Sequence, residues 1–236
     1  ALREFINIYL TAMSEDIRGN RGTLDKYIGD AVMAFWGAPV ELPDHASRAV
    51  SSALKMLETA HRLNDEFVAR GWPQLKIGIG LNTGQMHVGD MGSRIRRAYT
   101  VMGDAVNLGS RLEGITKVYG VGLVVGESTK LAAPEYFYRE LDCVRVKGKH
   151  EPIPIFEPVA ESSKVEPRVR GAIERGHQAY ALIRRQKWDH AQEILEDLAK
   201  LYPNEVLYQL YLTRIAYYRS HPPGPDWDGV TTFETK

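Results

Sequence analysis

An α+β fold, with helices laid on a mainly antiparallel sheet and a helical tail behind it, is predicted by three features of this sequence. Leu24 to Gly37 reads as two short apolar strands reversed at Gly29-Asp30. Helical and extended patterns interleave from Phe5 to Val159. Beyond Glu161 the strand signals stop and only helical periodicity continues.

Composition narrows the function classes. The chain has 236 residues and 44% hydrophobic content, enough for one ordinary domain with a core and a small appendage. Lys+Arg and Asp+Glu are equal at 30 each, so no overall field favours nucleic acid, and recognition must come from specific pockets. The single cysteine, Cys143, excludes an internal disulfide and fits a reducing compartment. With no apolar run of about 18 residues and no signal-peptide pattern, the expected location is cytoplasmic, any membrane anchor belonging to a region not present here. The chain opens at Ala1 inside a helical pattern, and a fragment that lacks its leading strand is expected.

The elements follow in order. Phe5, Tyr9, Met13 and Ile17 recur every four residues and predict an amphipathic helix ending near Gly19 or Gly22. In the hairpin, Gly29-Asp30 is a two-residue turn that puts the Asp30 carboxylate at a rigid tip, where it could hold a divalent cation. Asp44 is expected to cap a second helix with the stripe Ala46, Ala49, Ala53, Leu57, Ala60, Leu63 and Phe67. Leu75 to Leu81 and Gln85 to Gly89 read as one bulged strand. Arg94, Arg96 and Arg97 fall at a turn; without interleaved aromatics they read as a solvated loop rather than an anion grip. A strand at Ala98 to Met102, a helix from Asp104 to Tyr119 closed by Gly120, a strand at Val121 to Val125, a short helix at Glu127 to Leu131, and a hairpin of Tyr136 to Val146 with Ile153 to Val159 complete the set. With a strand before Ala1 this order is a ferredoxin-like β-α-β-β-α-β core with helices on one face.

The domain division expected is 1–160 for this core, 161–168 for a linker, 169–220 for a helical segment and 221–236 for a Pro/Gly-rich tail. Helices are predicted at about Val169 to Gln186, Trp188 to Leu201 and Asn204 to Arg219. Ala179, Leu182, Ala191, Leu195 and Pro203 have tetratricopeptide-type spacings. A lone repeat cannot bury its own face, so it must dock on the main domain, a partner or its copy in a dimer.

Three segments carry more together than singly: DKYIGDAVMAF at Asp25 to Phe35, YTVMGDAVNLGSRLEG at Tyr99 to Gly114, and VKGKHEPIPIFEPV at Val146 to Val159. As an ordered set they resemble the catalytic domain of class III nucleotidyl cyclases, the adenylate and guanylate cyclases, over essentially all of Ala1 to Val159. The tail is similar to that of bacterial adenylate cyclases with an upstream sensor. The resemblance implies conversion of ATP to 3′,5′-cyclic AMP and pyrophosphate, with two Mg or Mn ions per site, at an interface shared by a homodimer.

It also implies roles. Asp30 would be one of two metal aspartates, the other lying on a strand before Ala1. Asn107 would orient the ribose and Arg111 neutralise charge at the α-phosphate; four residues apart on a helix, they share one face. Lys147 would contact the terminal phosphates. Lys26 and Thr100 would read the base, and Lys26 favours ATP, because guanylate-forming relatives carry Glu and Cys at these two positions. Thr100 stands where many adenylate cyclases have Asp and resembles a subgroup often sensitive to bicarbonate. A non-catalytic nucleotide-binding module is the alternative, since one metal aspartate is absent from the chain. A diguanylate cyclase is disfavoured, its glycine-rich acidic signature being missing.

Overall fold

The computed structural model describes residues 2–146 and 151–233. In chain order these form α1 (Leu2–Gly19), β1 (Thr23–Ile28), β2 (Ala31–Phe35), α2 (His45–Ala69), β3 (Ile79–Leu81), β4 (His87–Gly92), β5 (Arg97–Met102) and α3 (Asp104–Tyr119). They continue as β6 (Leu123–Gly126), α4 (Glu127–Ala132), β7 (Tyr136–Arg145), β8 (Ile153–Glu161), α5 (Pro167–Arg184), α6 (Trp188–Leu201), α7 (Val206–Ser220) and β9 (Thr231–Thr232). No helix among the described residues is long and apolar enough to cross a membrane.

The central sheet has the order β3-β6-β8-β7-β9, with β6-β8 and β7-β8 antiparallel and the short outer pairs β3-β6 and β7-β9 parallel. Alternate strand residues fall into two clusters, as a two-residue side-chain period requires. Leu123, Val125 and Phe156 pack with Ala46, Val50 and Ala53 of α2. Val124 and Ile155 pack with Leu112 and Ile115 of α3 and with the tail helices. The sheet is thus covered on both faces, and the second layer is completed by the tail.

Helix α1 buries Tyr9, Met13 and Ile17 and lies on α2, with the Phe5 and Phe67 rings in tilted contact at 4.6 Å. Asp44 does not cap α2. Its backbone (φ −97°, ψ 24°) is not extended, so the side chain cannot fold back onto the first turn, and it pairs with Arg48 at 2.9 Å instead. The run expected as one bulged strand is two strands in two sheets: β3 joins the central sheet, while β4 pairs with β5 as a separate hairpin. The chain leaves the sheet at Asn82, whose side chain is spent on the Ala105 carbonyl at 3.0 Å rather than on a strand neighbour. At the three-arginine turn the Ser93 hydroxyl accepts from the N–H groups of Ile95 and Arg96, and Arg94, Ile95 and Arg96 stand in solvent.

No slack connector follows β8: a short 3₁₀ turn, Ser162–Lys164, leads into α5 at Pro167. Helices α5 to α7 and the residues after them share one core with the sheet. Ala179, Tyr180, Leu195, Leu198, Tyr208 and Tyr211 lie against Leu141, Val144 and Tyr119, and Trp227 packs between Trp188 and Tyr218. Within the chain, these helices dock on the main domain.

One contact makes this docking sensitive to acid. The Glu140 N–H on β7 donates to His177 Nε2 on α5 at 2.9 Å, so the imidazole is neutral there. Burial, then Lys130 and Arg139, lower its pKa below the ordinary value. The unfolded chain therefore binds more protons, and this stabilisation is whole above about pH 6.5 and lost as pH falls through the lowered value. The drop in Tm between pH 7 and pH 5 is expected to be smaller in His177→Gln, which can accept the same bond without titrating; equal drops would refute the linkage.

Candidate functional site

Two hairpins and one helix carry the predicted residues, and the two hairpins bring Lys26 and Thr100 into contact. In the first hairpin Ile28 pairs with Ala31, and Gly29 takes φ +65°, a left-handed conformation open to glycine at little cost. Asp30 stands exposed at the tip. Its charge reaches Tyr9 of α1, whose phenol is raised first by burial and then by Asp30.

The second hairpin, β4-β5, puts Thr100 opposite Gly89. Lys26 Nζ donates to Thr100 Oγ1 at 3.0 Å across 74 residues of sequence. Beneath them is Asp25, a residue whose type and position in the sequence suggest no such part. Its side chain is 1% exposed, its Oδ2 accepts from the Thr100 hydroxyl at 2.5 Å and from the Val101 N–H at 3.4 Å, and its Oδ1 lies 3.3 Å from Lys26 Nζ.

Helix α3 carries the third group. Asn107 is exposed and Arg111, one turn later, is half-buried. The helix is fixed at close range because β3 offers it glycine: a Cβ on Gly80 would lie 2.2 Å from the Gly109 carbonyl and 2.3 Å from the Glu113 nitrogen. The Asn82 bond to Ala105 holds its first turn. One terminal nitrogen of Arg111, Nη1, is buried with no hydrogen-bond partner among the described residues. A guanidinium nitrogen desolvated without an acceptor is costly, and an anion arriving on that face would relieve the cost.

Lys147, expected to meet the terminal phosphates, lies outside the described residues. Among the described residues no group of three or more His, Cys, Asp or Glu side chains converges on a cation position. Asp30 is one carboxylate, and the residues described do not by themselves complete a metal centre.

Around these groups the surface is apolar and uncovered. Tyr27 and Ile28 on β1, Val88 on β4, and Tyr99 and Met102 on β5 are 37–60% exposed, although all five sit on strands. Alternation puts Val88 and Tyr99 on one face of the second hairpin and Met102 on the other, and exposed apolar side chains beside polar site residues point to contact with another molecule.

Comparison with known proteins agrees with this architecture. The sequence model of the family described as the adenylate and guanylate cyclase catalytic domain matches residues 1–156. An adenylate cyclase of Anabaena cylindrica is 38% identical over 161 residues, 65% of this chain and 31% of that protein. Adenylate cyclase 1 of Rhizobium meliloti is 34% identical over 152 residues, 64% of this chain and 23% of that one. The chain thus spans less than a third of these relatives' length. Among solved structures, the adenylyl cyclase CyaB of P. aeruginosa superposes with a TM-score of 0.64 at 32% identity, over 70% of this chain and 86% of that one. The guanylyl cyclase Cya2 gives 0.63 at 31%, over 69% and 82%. An adenylyl and a guanylyl cyclase match almost equally, so similarity does not choose the base. From the family match over residues 1–156 and the overlap with CyaB, the chain belongs to the adenylate and guanylate cyclase catalytic domain family.

Proposed function

We propose that this chain is the catalytic part of an adenylate cyclase, forming 3′,5′-cyclic AMP and pyrophosphate from ATP at a site shared between two copies. The observation that carries the base assignment is the Lys26–Thr100 contact at 3.0 Å. Lysine is a donor only, and adenine offers it N1 as an acceptor. Beside N1, the N6 amino group is a donor and calls for an oxygen such as Thr100 Oγ1. Guanine, with O6 as an acceptor and N1–H as a donor, has the opposite polarity and would meet Lys26 and Thr100 mismatched. A site built to hydrogen-bond one edge rejects the other strongly, because its own polar groups are left unpaired.

In the reaction the ribose 3′-hydroxyl oxygen attacks the α-phosphorus in line as its proton passes to solvent, the bond to the bridging oxygen breaks, and pyrophosphate leaves with the electron pair. Asn107, exposed at the start of α3, is assigned to the ribose, holding the 3′-oxygen on line. Arg111 is assigned to the α-phosphate, where its planar fork meets two oxygens as negative charge gathers in the transition state. The unpartnered Nη1 supports that assignment. Asp30 is assigned to metal binding as one ligand of a Mg or Mn site whose other carboxylate comes from elsewhere. Lys147 is assigned to the terminal phosphates.

The homodimer rests on the uncovered apolar strands. They lie on the strands that carry Lys26 and Thr100, and a two-fold pairing would bury those on the facing side while bringing the partner copy to the open side of the site. Cytoplasmic location and control by an upstream sensor complete the reading.

The test is formation of cyclic nucleotide from ATP and from GTP, with Mn, by this chain and by a longer form that includes a strand before Ala1. Cyclic AMP from ATP, in preference to cyclic GMP from GTP, is the expected result in the longer form. ATP binding without turnover would make the domain a nucleotide-binding regulator instead.

A further inference from the structure

The first hairpin contains an irregularity with a chemical consequence. Along a regular strand, neighbours point to opposite faces, so Asp25 and Lys26 should not reach the same atom. Here both touch Thr100 Oγ1, because the register slips at Asp25: Leu24 pairs with Ala34 and Lys26 with Met33, leaving Asp25 as the extra residue of a β-bulge. Bulges re-aim side chains in this way. The result is a carboxylate packed under the base-reading pair and almost fully removed from water.

From this geometry we infer that Asp25 is a positioning residue for base selection, fixing the Thr100 hydroxyl as an acceptor toward the substrate. The inference rests on the adenine reading of the Lys26–Thr100 pair. A threonine hydroxyl has one proton and two lone pairs, and left to rotate it can donate to guanine O6 as readily as it accepts from adenine N6. Asp25 removes that freedom. It takes the proton in a 2.5 Å bond, in the short range of O–H···O⁻ contacts, and the Val101 N–H fixes the same oxygen from the β5 side. Only lone pairs remain on Thr100 for any other group. Whether Lys26 stays on Thr100 or swings out to a base, the hydroxyl has no proton to offer guanine.

Lysine 26 is held by the same carboxylate. Its Nζ is 3.0 Å from Thr100, where it donates, and 3.3 Å from Asp25 Oδ1, a contact of opposite charges, yet the side chain is 43% exposed. The ammonium is thus drawn toward the protein by charge and by one hydrogen bond, while its exposed side keeps a donor for a ring nitrogen acceptor. Asp25 orders both members of the pair without touching the base.

The experiment compares kcat/KM for ATP and for GTP in the full-length protein and its variants, each checked by a thermal melt. The wild-type ratio judges the adenine reading: a preference for GTP would sink that reading by itself. Given an ATP preference, Asp25→Ala is expected to lower the ATP:GTP ratio about tenfold or more, through KM rather than through kcat for ATP. In a Thr100→Ala background, where there is no hydroxyl to orient and only the Lys26 contact is left to lose, adding Asp25→Ala should lower the ratio by a clearly smaller factor than in the wild-type background. If the alanine variant does not fold, Asp25→Leu fills a similar volume without an acceptor and should give the same fall. A ratio unchanged in a folded variant, or a fall equally large without the Thr100 hydroxyl, would overturn the inference while leaving the adenine reading intact.

Discussion

In the full-length protein, Arg111→Ala is expected to lower kcat by about 10²- to 10³-fold with a much smaller change in KM, the signature of a contact made chiefly in the transition state. The reason lies in the buried Nη1, which has no acceptor among the described residues, on a helix held close to β3 by Gly80. Arg111→Lys keeps a charge but loses the fork, and should fall between the two. The same variant tests the shared site. Asp30 lies at the tip of the first hairpin and Arg111 on the first half of α3, and in the proposed dimer one site draws Arg111 from one copy and Asp30 from the other. Two inactive chains, Asp30→Ala and Arg111→Ala, should then regain activity when mixed. Random pairing makes half the dimers mixed, each with one intact site of two, so recovery of about a quarter of the wild-type rate is expected. No recovery above the separate chains, with both variants folded and dimeric by light scattering, would refute the shared site.

Much of this site is legible in the amino-acid sequence because its parts are local. The Gly29-Asp30 turn is signalled by residue type, and the span of α3 by apolar periodicity from Asp104 to Tyr119 and the left-handed Gly120 that ends it. The approach of Lys26 to Thr100 comes from the family resemblance, since nothing in periodicity joins residues 74 apart. Asp25 is hidden for a physical reason. A strict two-residue alternation sends it to the face opposite Lys26, and a bulge leaves no mark in a single sequence when the extra residue is not glycine. The split between β3 and β4 is hidden for a related reason, since an extended pattern says nothing about which sheet a strand joins. The role of the tail is half legible. The lone-repeat argument requires a docking surface, but the groups that secure the docking are Asp142, Arg214, Tyr119, Tyr180 and Thr231, residues whose types read as surface until their partners are known.

Those groups carry the second large prediction. Asp142, 1% exposed on β7, accepts from the Tyr119 hydroxyl of α3 at 2.7 Å, the Tyr180 hydroxyl of α5 at 3.0 Å, Arg214 of α7 at 2.6 Å and the Thr231 hydroxyl of β9 at 2.8 Å. One carboxylate thereby fastens four elements, and burial together with its charge raises the Tyr119 phenol well above the ordinary value. Removing it leaves the Arg214 guanidinium, 17% exposed, without its counter-ion. Breaking one half of a buried pair costs about 3–5 kcal/mol, far more than the pair contributes against apolar replacements. Asp142→Ala is therefore expected to lower Tm by about 6–20 °C. Asp142→Leu combined with Arg214→Met should recover a large part of that loss, because no charge is then stranded. A melt of Asp142→Ala within about 1 kcal/mol of wild type would show that the network contributes little. The cost should also reach the chemistry. Tyr119 ends the helix that carries Asn107 and Arg111, about 12 Å and two turns beyond the arginine. A tail that loosens at Asp142 releases that helix at its far end, so cyclase activity in the single variant should fall at temperatures well below its melt, and the apolar double variant should restore it. Activity unaffected up to the melting transition would mean that the sheet holds α3 in place without the tail, and that the tail stabilises the domain without aligning its site.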